Sequence, residues 1–197
     1  SDGITAKFIV TESITHSHGD GGEHSHEGLA SYTWLDPTLA IAQAEAIAAA
    51  ILARDLAEAD EVEARLAKLT SDLTTLDATA RDVLQDVQNV AMIATHPRYQ
   101  YFAHRYGLSI AALEWDAGAL PSDDDFADLA AIASATNAAV LIWEAEPPRD
   151  AIAQAEALGL KSVVFEPGAG RGAQGAFMDA FAKAVADIGA AAGQASN

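Results

Sequence analysis

VAMIATHPRYQYFAHRYGLSIAALE, residues 90–114, decides the architecture. The stretch opens on a short apolar run, VAMIAT (90–95), crosses a polar segment rich in aromatics, and closes on a second run, SIAALE (109–114). Two such runs flanking a helix at about Tyr99–Tyr106 read as a strand–helix–strand unit, which favours parallel pairing. The pattern continues downstream with AVLIWE (139–144) and SVVFE (162–166). Helices are predicted at about Asp123–Thr136 and Pro148–Leu158, and a last one from about Gln174 to Ala190. The expected fold is therefore α/β, a parallel sheet with flanking helices.

Upstream the pattern is helical. Asp36-Pro37 opens a helix, because Asp is a good N-cap and Pro is favoured at the first helical position. It continues through TLAIAQAEAIAAAILARD, and a second helix runs from about Leu56 to Gln88, with Val62, Leu66, Leu69, Leu73, Leu76, Val83 and Leu84 at helical spacing. At about 1.5 Å per residue it would be about 45 Å long, the length of a brace. Ile4 to Val10 is a strand-like run. THSHGDGGEHSHEG (15–28) is rich in Gly and His and reads as an exposed, mobile loop. The closing GQASN reads as a frayed tail. No internal repeat is visible.

Composition narrows the function classes. Half of the 197 residues are apolar and 20% are charged, as in a globular protein. The net charge of −18 repels phosphate backbones and anionic lipid, so nucleic acid is not expected as a partner; such charge ordinarily serves solubility, and cations are compatible with it as ligands. There is no cysteine, so a transition-metal site must use His, Asp and Glu, which suits zinc or manganese better than copper(I). No apolar stretch reaches the roughly 18 residues of a membrane span, so direct membrane insertion is not expected. The opening SDGITAKFIV has no signal-peptide pattern: a leader is either already removed or was never present.

In open parallel sheets, ligands bind beyond the carboxyl ends of the strands. Each predicted strand ends at or beside a polar group: His96, Glu114, Glu144 and Glu166. Acids at strand ends often do no more than solvate them. His96 precedes Pro97 at the entrance to a helix, and two readings stay open for it, a satisfied polar group or a metal ligand. The loop supplies a second cluster, His16, His18, His24 and His26, able to capture zinc with modest affinity because ordering it costs entropy. Its flanks, TESIT and EGLASYTWLDP, argue against a purification tag. GAGRGAQG (168–175) is a Gly-rich turn, and its one Arg171 in negative surroundings makes phosphate binding a poor reading.

These residues resemble a known family. THPRYQYFAHRYGL (95–108) looks like the signature of the metal-receptor cluster of ABC-transporter solute-binding proteins, and WLDPTLAIAQAEAIAAAI (34–51) is similar to its Trp-Leu-Asp-Pro helix start. A His-rich acidic loop just before that motif is typical of the zinc-specific members. The resemblance covers about residues 1–190 and implies two α/β lobes joined by a long rigid helix, with zinc between them. It carries over His96 as the ligand of the second lobe and Glu166, in Phe-Glu-Pro, as the acidic ligand usually present as Asp. Tyr32 stands where the family places another ligand histidine, so that ligand is missing or is supplied by a loop residue such as His26. The first lobe is almost wholly absent: residues 1–36 are read as its remnant, 37–88 as the helical segment and 89–192 as the C-terminal lobe. A fragment, a truncated chain and a natural variant are all compatible with this.

The leading functional expectation is thus a periplasmic or other extracytoplasmic receptor, not an enzyme, that delivers Zn2+ (ahead of Mn2+) to the membrane permease of an ABC transporter. A metallochaperone is a further candidate partner. Two alternatives are a hydrolase with zinc at His96 and Glu144 as base, and a metal-free interaction domain. Within the receptor reading, Glu144 is expected to accept the free N–H of the ligating imidazole, with Tyr32 standing beside the metal without binding it.

Overall fold

Four parallel strands build the sheet that carries the polar residues: β3 (Ala91–Ala94), β4 (Ser109–Ala112), β5 (Val140–Trp143) and β6 (Lys161–Val164), in the order β4-β3-β5-β6. They belong to a computed structural model that describes residues 4, 7–10, 14–16, 24–26, 29–115, 120–168 and 176–195. Helices α3 (Gln100–Tyr106), α4 (Asp123–Thr136), α5 (Arg149–Ala157) and α6 (Ala176–Ala195) alternate with the strands or follow them. Before the sheet come β1 (Ile14–His16), β2 (His24–His26), α1 (Pro37–Leu52) and α2 (Ala59–Leu84).

Strand alternation splits the core. Met92, Ala94, Val140, Ile142 and Val163 face a cluster built with α2, α3 and α6. Ile93, Leu141 and Trp143 face Phe126 and Leu129 of α4 and Ala151 and Ala155 of α5. A sheet covered on both faces has no polar side, so β5 is buried at every position. On the first face Phe102, Phe165 and Phe181 meet edge-on at 5.2 to 5.7 Å between centroids.

Local chemistry explains the boundaries. Asp36 caps α1 through its Oδ1, which accepts from the Thr38 N–H at 2.8 Å, and Pro37 takes the first helical position. Gly107, at φ 68°, ends α3 in the left-handed conformation. Ser122 and Asp125 form a reciprocal capping box at the start of α4. In α2, Leu73, Leu76, Ala80 and Leu84 are buried, while Leu69 toward its N-terminal half is 38% exposed. Ion pairs four residues apart, Arg65–Glu61 and Lys68–Asp72, line the exposed side of α2.

Several expectations need correction. The long helix is 26 residues, about 39 Å, with a separate 3-10 turn at 85–87 and a break from α1 at 53–58. Among the described residues of the run at 4–10 none joins the sheet as a strand: Val10 makes one isolated bridge to Leu29, and Ile4 instead joins Ala30, Leu39 and Tyr101 in a small cluster. Part of the His-rich segment is paired backbone, with β1 antiparallel to β2 and His16 opposite His24. Strand spacing here comes from Thr-His and His-Ser-His alternation that Gly content alone conceals. The tail is helical as far as Ala195, because Ile188 and Ala192 extend its buried stripe. Of the Gly-rich turn at 168–175, only Gly168 is among the described residues.

Candidate metal site at the carboxyl edge of the sheet

The chain leaves β3 through α3 to β4 on one side, then returns across β3 to β5 and on to β6. The order reverses between β3 and β5, and such a switch point opens a crevice beyond the strand ends. His96 follows β3 and Glu144 follows β5, so both stand at that crevice. Thr95 knits its two walls together. Its N–H donates to the Ile142 carbonyl at 2.9 Å, and its hydroxyl accepts from the Glu144 N–H at 3.1 Å.

His96 is held in one tautomer. Its Nδ1 lies 2.7 Å from the Trp115 carbonyl oxygen, which can only accept, so Nδ1 carries the hydrogen and Nε2 keeps the lone pair. The β3–β4 pairing continues past the strands through Leu113 N–H to Ala94 O and Trp115 N–H to Thr95 O, both 2.8 Å, and so fixes that carbonyl. A neutral imidazole with its Nδ1–H committed to a backbone oxygen is the usual arrangement of a metal-ligating histidine.

Glu144 does not make the bond expected of it. Its Oε2 is 3.9 Å from His96 Nδ1, beyond hydrogen-bond distance, and the Trp115 carbonyl has taken that role. The other oxygen accepts from Arg98 Nε at 3.2 Å, and the Arg98 guanidinium lies 4.9 Å from the Tyr32 ring centroid. Oε2 is buried without a hydrogen-bond partner among the described residues. Tyr32 also packs on Trp34, with centroids 5.1 Å apart. Tyr32 is thus beside the crevice, joined to Glu144 through Arg98.

Glu166 follows β6 as an exposed residue between the buried Phe165 and Pro167, and Glu114 is exposed beyond β4. The Tyr99 hydroxyl donates to the Phe165 carbonyl at 2.5 Å. Burial, then the Glu144 carboxylate, pushes that hydroxyl far above its usual value, with smaller contributions from Tyr32 and Glu166 against Arg98. It therefore stays a donor at any ordinary pH.

The structure brings His96, Glu144, Arg98 and Tyr32 together, but among the described residues no three His, Asp or Glu side chains converge on one metal-sized position. His16, His24 and His26 are described as backbone in β1 and β2; their side chains and all of His18 lie outside the described residues. Sequence reading missed the parts that act through the backbone or across the fold: the Trp115 carbonyl, Arg98, and the Tyr99 hydroxyl. Arg98 was legible only as a charge two residues from His96.

The sequence model of the family described as "ZnuA: Zinc-uptake complex component A periplasmic" matches residues 1–191. The chain belongs to that family. That family is described as a periplasmic component of a zinc-uptake complex, which favours the receptor expectation over the hydrolase alternative. No curated protein matches the sequence. Solved structures do. A crystal structure of ZnuA is 24% identical, with TM-score 0.66 over 83% of this chain and 62% of the other. The Zn(II)-bound ZnuA-like domain of Streptococcus pneumoniae AdcA is 19% identical, with TM-score 0.73 over 83% of this chain and 64% of the other. FpvC from Pseudomonas aeruginosa in complex with Mn2+ is 20% identical, with TM-score 0.69 over 85% of this chain and 65% of the other. These likenesses carry the fold. The chain spans 62% to 65% of the length of these relatives.

Proposed function

We propose that this chain binds zinc at the β3–β5 crevice as part of an extracytoplasmic receptor that hands the metal to the permease of an ABC transporter. One observation carries the reading: the Nδ1 of His96, just beyond the end of β3, is engaged by the Trp115 carbonyl, which leaves Nε2 as the nitrogen for a metal. The carboxylate of Glu166 is the acidic ligand in this reading, and the ligand that Tyr32 replaces is either missing or supplied by a loop residue such as His26. Zinc is preferred to manganese because an imidazole-bearing site favours the softer ion. The solved relatives named with bound metal hold Zn(II) in one case and Mn2+ in another, which supports a divalent cargo.

The division into residues 1–36, 37–88 and 89–192 belongs to the same reading. Ile4 and Ala30 of the first segment pack in a small cluster with Leu39 of the second and Tyr101 of the third, so the first segment is docked on the other two. A metallochaperone remains a candidate upstream partner, and the net charge of −18 favours encounter with cations over anions.

The test is a calorimetric titration of zinc into the chain and into His96→Ala, with manganese as competitor. The substitution is expected to weaken the tight site at least tenfold, about 1.4 kcal/mol. Equal affinity of the two proteins for zinc would remove His96 from the site, and no zinc binding by either would leave the interaction-domain alternative. Preference for manganese in the competition would overturn the choice of metal.

A further inference from the structure

Glu166 stands between two carbonyl groups that are each captured by a distant side chain. On one side the Tyr99 hydroxyl donates to the Phe165 oxygen at 2.5 Å. On the other the Trp34 indole N–H donates to the Pro167 oxygen at 2.8 Å. The donors come from 66 and 133 residues away in sequence, so neither bond is a by-product of local turn formation. Gly168 completes the restraint. At φ +69° it turns the chain so closely over Phe177 that a Cβ there would lie 2.7 Å from the ring. The Phe165–Glu166 and Pro167–Gly168 peptides, which bracket Glu166, are thus each held by a side chain from elsewhere in the fold, although the Glu166 side chain itself is exposed.

The origin of the two donors matters. Tyr99 lies three residues after His96 and is 2% exposed, with its ring 5.3 Å from that of Phe165. Trp34 lies two residues after Tyr32 and packs against it. The segments bearing Tyr32, His96 and Glu166 are therefore tied to one another by side chains that are not themselves metal donors. A neutral phenol and an indole are suited to this work, since each offers a hydrogen without adding charge beside a cation.

We propose that Trp34 and Tyr99 are positioning residues for Glu166, holding the peptides before and after it so that its carboxylate is set at a fixed distance from the His96 imidazole. The inference rests on the reading of Glu166 as a metal ligand. It assigns to the tryptophan of the Trp-Leu-Asp-Pro motif a role in the binding site, beyond starting α1. Preorganisation of this kind lowers the entropy lost when the metal is captured.

A double-mutant cycle separates positioning from general stability. Zinc affinity of the 197-residue chain is measured with a competing chelator for Trp34→Phe, Tyr99→Phe and Glu166→Gln, and for each of the first two combined with the third. Melting temperatures of the metal-free proteins are recorded alongside, and the visible spectrum of bound Co2+ reports coordination. Each of Trp34→Phe and Tyr99→Phe is expected to weaken tight zinc binding about fivefold or more in the native background and less than twofold in the Glu166→Gln background. Each should also shift the Co2+ spectrum. If Glu166→Gln binds zinc as tightly as the native chain, the ligand assignment fails and takes the positioning role with it. If Glu166→Gln weakens binding but Trp34→Phe and Tyr99→Phe do not, the positioning role alone is overturned. The same holds if their losses are equal in both backgrounds, which would mean they act through overall stability. Because the two donors lie on different segments, misfolding of one variant leaves the other to decide.

Discussion

Asp77 shows how one carboxylate can tie three elements together. It receives Arg105 in a two-pronged contact at 2.8 and 2.6 Å, the Tyr106 hydroxyl at 3.2 Å and Arg81 at 3.2 Å. Arg105 also lies 3.6 Å from Asp36, so the cap of α1, the middle of α2 and the end of α3 share one network. Burial works to raise the Asp77 carboxyl, but the hydrogen bond and charge of Arg105, with Arg81 behind, hold it below its usual value. A lowered folded-state value means that the network stabilises the fold above the unfolded value of about 3.9 and that this contribution is lost as pH falls through the lower folded one. Asp77→Asn is expected to cost about 2 kcal/mol at pH 7. In urea unfolding, the gap between native and variant should stay constant above about pH 5 and shrink below about 4. A gap independent of pH down to about 3 would show that the charge of Asp77 is not what matters.

Helices α2 and α6 approach closely because Gly189 has no side chain. A Cβ there would lie 2.4 Å from Val83 Cγ1, so one partner must move. Gly189→Ala gains about 1 kcal/mol of helix propensity and loses about 1–3 kcal/mol to overpacking. Net destabilisation is expected, and in a Val83→Ala background the same substitution should become stabilising. Stabilisation in both backgrounds would mean that the contact relaxes freely. The β1–β2 ribbon sits at the opposite extreme. Two three-residue strands are marginal by themselves, so the ribbon provides little scaffold for histidines. Deleting residues 16–26 is expected to remove weak zinc equivalents, and those equivalents should fade as pH drops through about 6.5, where free imidazoles protonate. Loss of all zinc binding would instead make His26 part of the tight site, and no change in stoichiometry would show that the segment does not collect zinc.

Binding and folding are linked across the molecule, because metal that binds the folded chain alone adds to its stability. At a free zinc concentration one hundred times the dissociation constant, the expected gain is about 2.7 kcal/mol. For a domain of this size that raises the melting temperature by about 5–10 °C. The shift should be absent in His96→Ala and present after deletion of residues 16–26. A shift that survives His96→Ala would place the stabilising metal elsewhere. Both core clusters continue from the sheet into the helices, and the N-terminal half of α2 leaves Leu69 exposed, so metal-linked protection is expected to be strongest in β3 and β5.

The α/β class, the four strands, the start of α1 at Asp36-Pro37 and the span of α4 were all legible in the sequence, because they depend on apolar period and on caps that act within a few residues. His96 was legible for the same reason, as the first imidazole beyond a buried strand. The strand order β4-β3-β5-β6 was not, since neighbours in a parallel sheet are chosen by crossovers that sequence periodicity does not encode. Nor was the tautomer of His96, which depends on a carbonyl 19 residues away. Arg98 meets Glu144 across 46 residues, and Trp34 reaches Pro167 across 133. Such partners are set by register and helix orientation once the cores have closed, so tertiary structure alone decided them. The three-residue pairing of Ile14–His16 with His24–His26 was hidden in the same way, because its hydrogen bonds join two pieces of a Gly-rich stretch whose composition reads as loop.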